Sequence, residues 1–310
     1  MKKYMVLAVL LLAVLFSFSA CTGEGYPLAV DTERISAGVY TYYYAETGSA
    51  EAAVESCKQD IAARQLMEKE GIALSANYKR IVADEADSMW SVFSAYYESI
   101  GVSKQDITQG LTAEYNKKEL LDYYFGENGK KPVSADKIKK EFDKTYVGFK
   151  AIEASYLKLT DMGDSVSLSD EEKKSLKNRF EAMAKNINNG SMTINSANKS
   201  YNESIGIIVT QNPETALIKD DDVLYSDDFF EKVSELKEGQ AGVIESGSSI
   251  YLIQRQNITS DEDGFVFMYR AEILEKLKMA ELEKKIADVA KDMEVKINKS
   301  LCKEIEEKMV

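Results

Sequence analysis

Residues 279–293 read Met279-Ala280-Glu281-Leu282-Glu283-Lys284-Lys285-Ile286-Ala287-Asp288-Val289-Ala290-Lys291-Asp292-Met293. Met279, Leu282, Ile286, Val289 and Met293 step by 3, 4, 3 and 4 positions, so a helix carries them as a single apolar stripe. The helical pattern starts near Asp263, which makes the element ~45 Å long at 1.5 Å per residue. A helix of that length protrudes from a small domain unless another part of the chain covers its stripe. The helices near the N-terminus are the available cover, and an independent coiled-coil tail is the rival arrangement. We therefore expect an α+β protein in which both chain ends build one helical lobe and an α+β module is inserted between them.

The remaining composition excludes much chemistry. The chain has 310 residues, 45% of them apolar, with 39 Lys and Arg against 52 Asp and Glu and no histidine. That length suggests roughly two domains with ordinary packed cores. Without histidine there is no Ser-His-Asp or Cys-His catalytic unit, no His-ligated metal and no imidazole acid or base. The net charge of −13 argues against nucleic acid as a partner, because phosphate recognition needs clustered Lys and Arg.

The first residues read as an address. Lys2 and Lys3 precede an apolar run from Val6 to Phe18, followed by Ser19-Ala20-Cys21. A run this short with these flanks is a secretory signal rather than a lasting span. The cysteine at the cut resembles the bacterial lipobox, with Phe18 where Leu is usual. That resemblance implies cleavage after Ala20 and a diacylglyceryl thioether on Cys21; ordinary secretion with an incidental cysteine is the plainer alternative. Removal of Lys2 and Lys3 leaves 37 − 52 = −15. No other run approaches the ~20 apolar residues a span requires. Cys57 and Cys302 remain, in the first and last helical segments, where an exported protein permits a disulfide and two small buried thiols are the simpler reading.

After a short tether to about Asp31, Val39 to Tyr44 is compatible with a strand or an aromatic-rich helix. Helices are expected at about 50–70, with Gly71 as stop, at 75–99, from Ser103 through Tyr124, and from Ser134 to Tyr146. A strand follows at 149–159. Ser169 and Glu172 form a capping box that opens a helix with Leu176, Phe180, Met183 and Ile187 on one face. Ile205 to Thr210 is a β-branched run, 227–236 a short helix, and 241–244 with 249–254 a hairpin around Gly247.

This layout resembles the exported foldases of the PrsA and SurA family, a helical chaperone lobe closed by the two chain ends around a parvulin prolyl-isomerase module. The pattern around Gly71-Ile72, Gly101-Val102-Ser103, Val133-Ser134 and Val295-Lys296-Ile297-Asn298 carries it. The resemblance implies residues 1–20 as lipoprotein signal peptide, 21–31 as lipidated tether, 32–146 plus 260–310 as the lobe, and 147–259 as the parvulin-like domain. It also implies unfolded or exported polypeptides as partners and a place on the outer face of the bacterial cell membrane, held by the Cys21 lipid.

The module departs from the family pattern. Ala154-Ser155-Tyr156-Leu157 stands where Ala-Ser-His belongs, and Ile250-Tyr251-Leu252-Ile253 where Tyr-His-Ile-Ile belongs. Tyr156 and Tyr251 thus occupy both histidine positions. Phe229 matches a wall of the proline pocket, Glu203 loosely matches the acidic or thiol position, and the glycine turn is reduced to Ile205-Gly206. Prolyl isomerisation breaks no bond and needs no nucleophile. Paired Tyr hydroxyls both donate and accept, so they are expected to imitate part of a His–His network. With this many changes the expected module is a weak or inactive isomerase; an active Tyr-based isomerase and a non-catalytic structural or adhesion lipoprotein are the alternatives.

Other constellations carry less. Ser-x-x-Lys occurs at Ser134/Lys137, Ser155/Lys158, Ser196/Lys199, Ser234/Lys237 and Ser300/Lys303 without companion motifs, which indicates composition. Asp261-Glu262-Asp263-Gly264 fails as a calcium loop, since Thr259 and Arg270 stand where its first and last acids belong. Asp220-Asp221-Asp222 reads as a solvated turn. No P-loop is present, and no cofactor or metal is expected. Trp90, Phe93, Tyr96 and Tyr97 form the densest aromatic group and are the candidate client-binding residues, with plain helix packing as the other reading.

Overall fold

In the computed structural model, residues 25–160, 162–226, 228–260 and 264–309 are described. The expected signal peptide, Cys21 and the start of the expected tether lie outside them, as does Asp261-Glu262-Asp263. The elements run β1 (Leu28–Val30), β2 (Glu33–Ile35), α1 (Ala37–Thr47), α2 (Ala50–Glu70), α3 (Ala76–Ser99), α4 (Lys104–Phe125) and α5 (Ala135–Thr145). Then come β3 (Val147–Ser155), β4 (Leu157–Leu159), β5 (Ser165–Ser167), α6 (Asp170–Asn188), α7 (Ile194–Ser204), β6 (Ala216–Ile218) and α8 (Phe229–Glu235). The chain ends with β7 (Ala241–Ser246), β8 (Ser249–Gln256), α9 (Phe265–Met268), α10 (Arg270–Ala290), β9 (Val295–Ile297) and α11 (Lys299–Glu307). None of the described helices is long and apolar enough to cross a membrane.

Local chemistry sets most of the helix starts. Each of α1 to α7 begins after a Ser or Thr whose oxygen accepts a backbone N–H three residues on, from Ser36 and Ser49 to Ser169 and Thr193. That oxygen satisfies one of the amides a helix leaves unpaired. Gly48 and Gly71 close α1 and α2 with φ of 72° and 71°, a left-handed turn glycine adopts without steric cost.

The chain divides into two compact units: one from the chain start to Pro132 together with Leu277 onward, the other from Val133 to Lys276. In the first, β1 lies between β2 and β9 in an antiparallel sheet, with Leu28 opposite both Ile35 and Ile297. The tether therefore ends sooner than Asp31, because Leu28 and Val30 are core residues, 1% and 0% exposed. The Asp31 amide donates to the Glu294 carbonyl at 2.7 Å, and Asp31 Oδ1 accepts the Glu294 amide at 2.8 Å. Val39, Tyr40, Ala53, Cys57, Ile61, Cys302 and Ile305 pack with this sheet. Tyr40 to Tyr44 are helical. Cys57 and Cys302 share the cluster as free buried thiols, and burial pushes the Cys57 thiol up to about 12.

A second cluster joins α1, α3 and α4 through Tyr42, Val82, Ala86, Tyr97, Ile107 and Leu111. Gly110 permits it, since a Cβ there would sit 2.1 Å from the Tyr42 ring. Of the apolar stripe, Leu282 and Ile286 are 0% exposed and Met279, Val289 and Met293 are half-buried, with Ala290 beside them 1% exposed, so α10 is not a free coiled-coil tail. Lys278 lies over the Phe125 ring and Lys285 over the Tyr124 ring.

In the second unit the sheet order is β6-β3-β8-β7, all antiparallel, and β4 and β5 form a separate two-stranded ribbon. Ile205 to Thr210 is not a strand; Ile207 and Ile208 are 51% and 87% exposed. This run has no ladder partner, and α7 just before it holds the core with Ile194, Ala197 and Tyr201 instead.

Asp60 on α2 is the notable buried charge of the first unit, 4% exposed, with Arg64 Nε at 3.6 Å and Glu33 beyond it on the same guanidinium. Burial pushes the Asp60 carboxyl up to about 6 despite Arg64. An unfolded Asp releases its proton near ~3.9, so between these values the folded chain binds the extra proton. Stability then falls as pH rises through that window, by about 2–3 kcal/mol in all. Urea midpoints compared at both ends of the window should show this loss in the natural protein and a flatter profile in Asp60→Asn. An equal pH slope in both proteins would locate the effect elsewhere.

Candidate functional site

The module's sheet has two differently covered faces, and the period of two along β3 and β8 decides which side chain goes where. Ile152, Ala154, Ile250 and Leu252 meet α6 and α7, together with Phe180, Ile187 and Tyr201. Phe149, Ala151, Ile253 and Tyr251 meet α8, together with Phe229 and Val233. Tyr156 belongs to the first group and Tyr251 to the second, so the sheet separates the two tyrosines. They cannot act as one hydroxyl pair.

On the α8 face the rings form a compact aromatic group. Tyr225 stacks on Phe229 at 4.2 Å between centroids, and Tyr251 meets Phe229 edge-on at 5.4 Å. Phe229 is 0% exposed, so it is core and offers no open pocket wall. The polar partner of Tyr251 is Glu153, directly opposite it in the β3–β8 register. Tyr251 Oη donates to Glu153 Oε1 at 3.1 Å, and Ser249 Oγ donates to the same oxygen at 2.7 Å. Burial raises the Tyr251 and Tyr225 hydroxyl pKa values, so both stay protonated donors at neutral pH.

Tyr156 is 8% exposed on the opposite face, with Lys173 Nζ 5.6 Å from its ring centroid. Burial and the Glu245 carboxylate push its hydroxyl up to about 12. Glu203 sits exposed at the end of α7, 3.8 Å from Lys199, in neither cluster. Of the four positions carried over from the resemblance, only Phe229 and Tyr251 come together. Glu153, Ser249 and Tyr225 complete that group. The strand alternation through Glu153 was the available signal for it. Among the described residues no group of acids and thiols is placed to hold a metal ion. Asp222 Oδ1 accepts the Leu224 amide at 3.0 Å, as a turn residue does.

The second candidate lies on α3 and splits in the structure. Tyr97 is 5% exposed and packs in the α1–α3–α4 core, and Trp90 is half-buried against it. Phe93 and Tyr96 are each 52% exposed, and Val92 beside them is 67% exposed. Positions 92, 93 and 96 share a helix face. The helix thus carries one apolar face inward and a second outward, more than a surface helix needs for its core.

No family model matches the chain, and no curated protein does. Among solved structures, the chain is similar to foldase protein PrsA from Streptococcus pneumoniae str. Canada MDR_19A at 12% identity and TM-score 0.38, covering 90% of this chain and 91% of that one. A foldase protein (PrsA) from Lactococcus lactis aligns at 12% identity and TM-score 0.41, covering 91% and 99%. PrsA from Bacillus subtilis aligns at 13% identity and TM-score 0.32, covering 82% and 86%.

Two substitutions separate core from polar chemistry in the module. Phe229→Ala should cost about 3–5 kcal/mol of stability, as loss of a fully buried ring does. Tyr251→Phe removes only the hydroxyl bond to a solvent-reached carboxylate and should cost about 1 kcal/mol. Urea unfolding of both variants checks the ranking, and equal costs would contradict this description of the aromatic group.

Proposed function

We propose that this protein is an exported, membrane-anchored chaperone of the foldase type that shields unfolded polypeptides, with a parvulin-like module that serves as scaffold. The observation that carries the reading is the outward face of α3, where Val92, Phe93 and Tyr96 stand in solvent beside a core that does not use them. Adjacent exposed apolar side chains of this kind mark interaction surfaces. Aromatic rings accept many sequences, because their contact is broad and their ordering cost is small. The acid excess favours basic client segments and keeps an exposed apolar surface soluble.

The module's part follows from the same geometry. Tyr156 and Tyr251 lie on opposite faces and Phe229 is sealed in the core, which supports a module that serves as scaffold rather than as isomerase. The membrane anchor is the lipid on Cys21, which holds the chain on the outer face of the cell membrane. One acyl chain alone binds a bilayer marginally, so the diacylglyceryl group is what makes the anchor lasting.

The test is refolding of an aggregation-prone, proline-limited client. The protein should suppress aggregation only near stoichiometry and leave the slow refolding phase unchanged far below it. The combined variant Val92→Ser, Phe93→Ser and Tyr96→Ser should lose that suppression while melting at the same temperature. Undiminished protection by the variant would move the client site off α3. A faster slow phase at catalytic ratios would instead restore the isomerase reading, and protection of one fixed partner alone would favour a structural lipoprotein.

A further inference from the structure

An apolar-walled groove of about 920 Å³ lies in the first unit between the start of α2 and α11, within the ~300–1,000 Å³ usual for small-ligand sites. Ala50, Ala52, Val54 and Ile297 contribute apolar walls, and Ile297 remains 46% exposed. Several of the polar groups that line it are already engaged. Tyr40 Oη donates to Glu306 Oε1 at 3.2 Å, Cys302 Sγ donates to the Pro27 carbonyl at 3.4 Å, and Ser49 Oγ accepts the Ala52 amide at 3.2 Å. Glu51, Glu55, Lys299 and Lys303 also line the groove with charges, and their methylene stems add to its apolar walls, so an acyl chain finds hydrocarbon along the groove and charged groups for the polar end of its lipid.

The place of the groove bears on which hydrocarbon could reach it. Pro27 borders it through the Cys302 contact, and its carbonyl also accepts the Asn298 amide at 2.9 Å. Cys21 is six positions upstream. Even a fully extended chain spans at most ~3.6 Å per residue, so Cys21 stays within about 22 Å of Pro27. We propose that this groove receives an acyl chain of the lipid on the protein's own Cys21. The proposal rests on the lipoprotein reading above and adds a site to it. The groove would hold one chain of the lipid whenever that chain is not in the bilayer.

The experiment uses the full protein made in cells with its leader and purified in detergent, with p-benzoylphenylalanine replacing Ile297. The mass of the N-terminal peptide is read first, then the products of illumination. The expected product joins the peptide containing position 297 to the acylated Cys21 peptide of the same molecule. Ala52→Trp and, independently, Val54→Glu should abolish it, and the photoreactive group placed at Val92 should not form it. An unmodified Cys21 overturns the lipoprotein reading, and this proposal with it. A lipidated Cys21 with no such product, or with cross-links only to bilayer phospholipid or to a bound polypeptide, overturns the proposal alone.

Discussion

The pairing of β1 with β9 is the constraint on which the first unit depends. Three residues near the beginning of the chain meet three near its end, Leu28 with Ile297 and Val30 with Val295. Closing so long a loop costs entropy that three ladder positions cannot offset alone. The offset comes from burial behind the sheet, where Leu28, Val30 and Ile35 share a core with α1, α2 and α11. Position follows from this closure: α11 reaches α2 because β9 delivers it there, and the Cys302 thiol meets the Pro27 carbonyl for the same reason.

In the second unit the deciding constraint is alternation. A strand cannot present Tyr156 and Glu153 to one face, since they differ by an odd number of positions. The tertiary structure therefore chooses between two possible partners for Tyr251. It chooses Glu153, which also takes the Ser249 hydroxyl, and it leaves Tyr156 to pack against α6 and α7. A motif match along the chain treats both tyrosines as one constellation, whereas the pleat makes them strangers. The aromatic group around Phe229 is accordingly a core with a hydrogen-bonded rim, and its carboxylate is occupied within the module.

Helices were readable from the sequence because their signals are local. Ser caps located the starts of α2 to α6 to within a residue, whereas the helix expected from about Asp263 to Met293 is shorter, Arg270–Ala290, with the separate short α9 before it. The hairpin around Gly247 was equally plain. Elements whose meaning comes from distant partners were not. Leu28 to Val30 is too short to announce a strand, and α7 is rich in Asn and Ser, so its three core residues were hidden in polar sequence. The aromatic group on α3 illustrates the same limit. Tyr96 and Tyr97 are neighbours of one type, yet one faces solvent and the other the core, a difference set by where α1 and α4 lie.

The order in which the chain becomes available has its own consequence. The first unit is written in two pieces with the whole of the second unit between them. A polypeptide that crosses a membrane from its N-terminus releases β1, β2 and α1 to α4 early, then an entire α+β domain, and only then α11 and β9. Until those last residues arrive, the faces of Leu28, Val39 and Ala53 lack the partners that bury them. A chain released in that order passes through an unfinished stage, its earliest-made surface kept waiting for its latest-made strand.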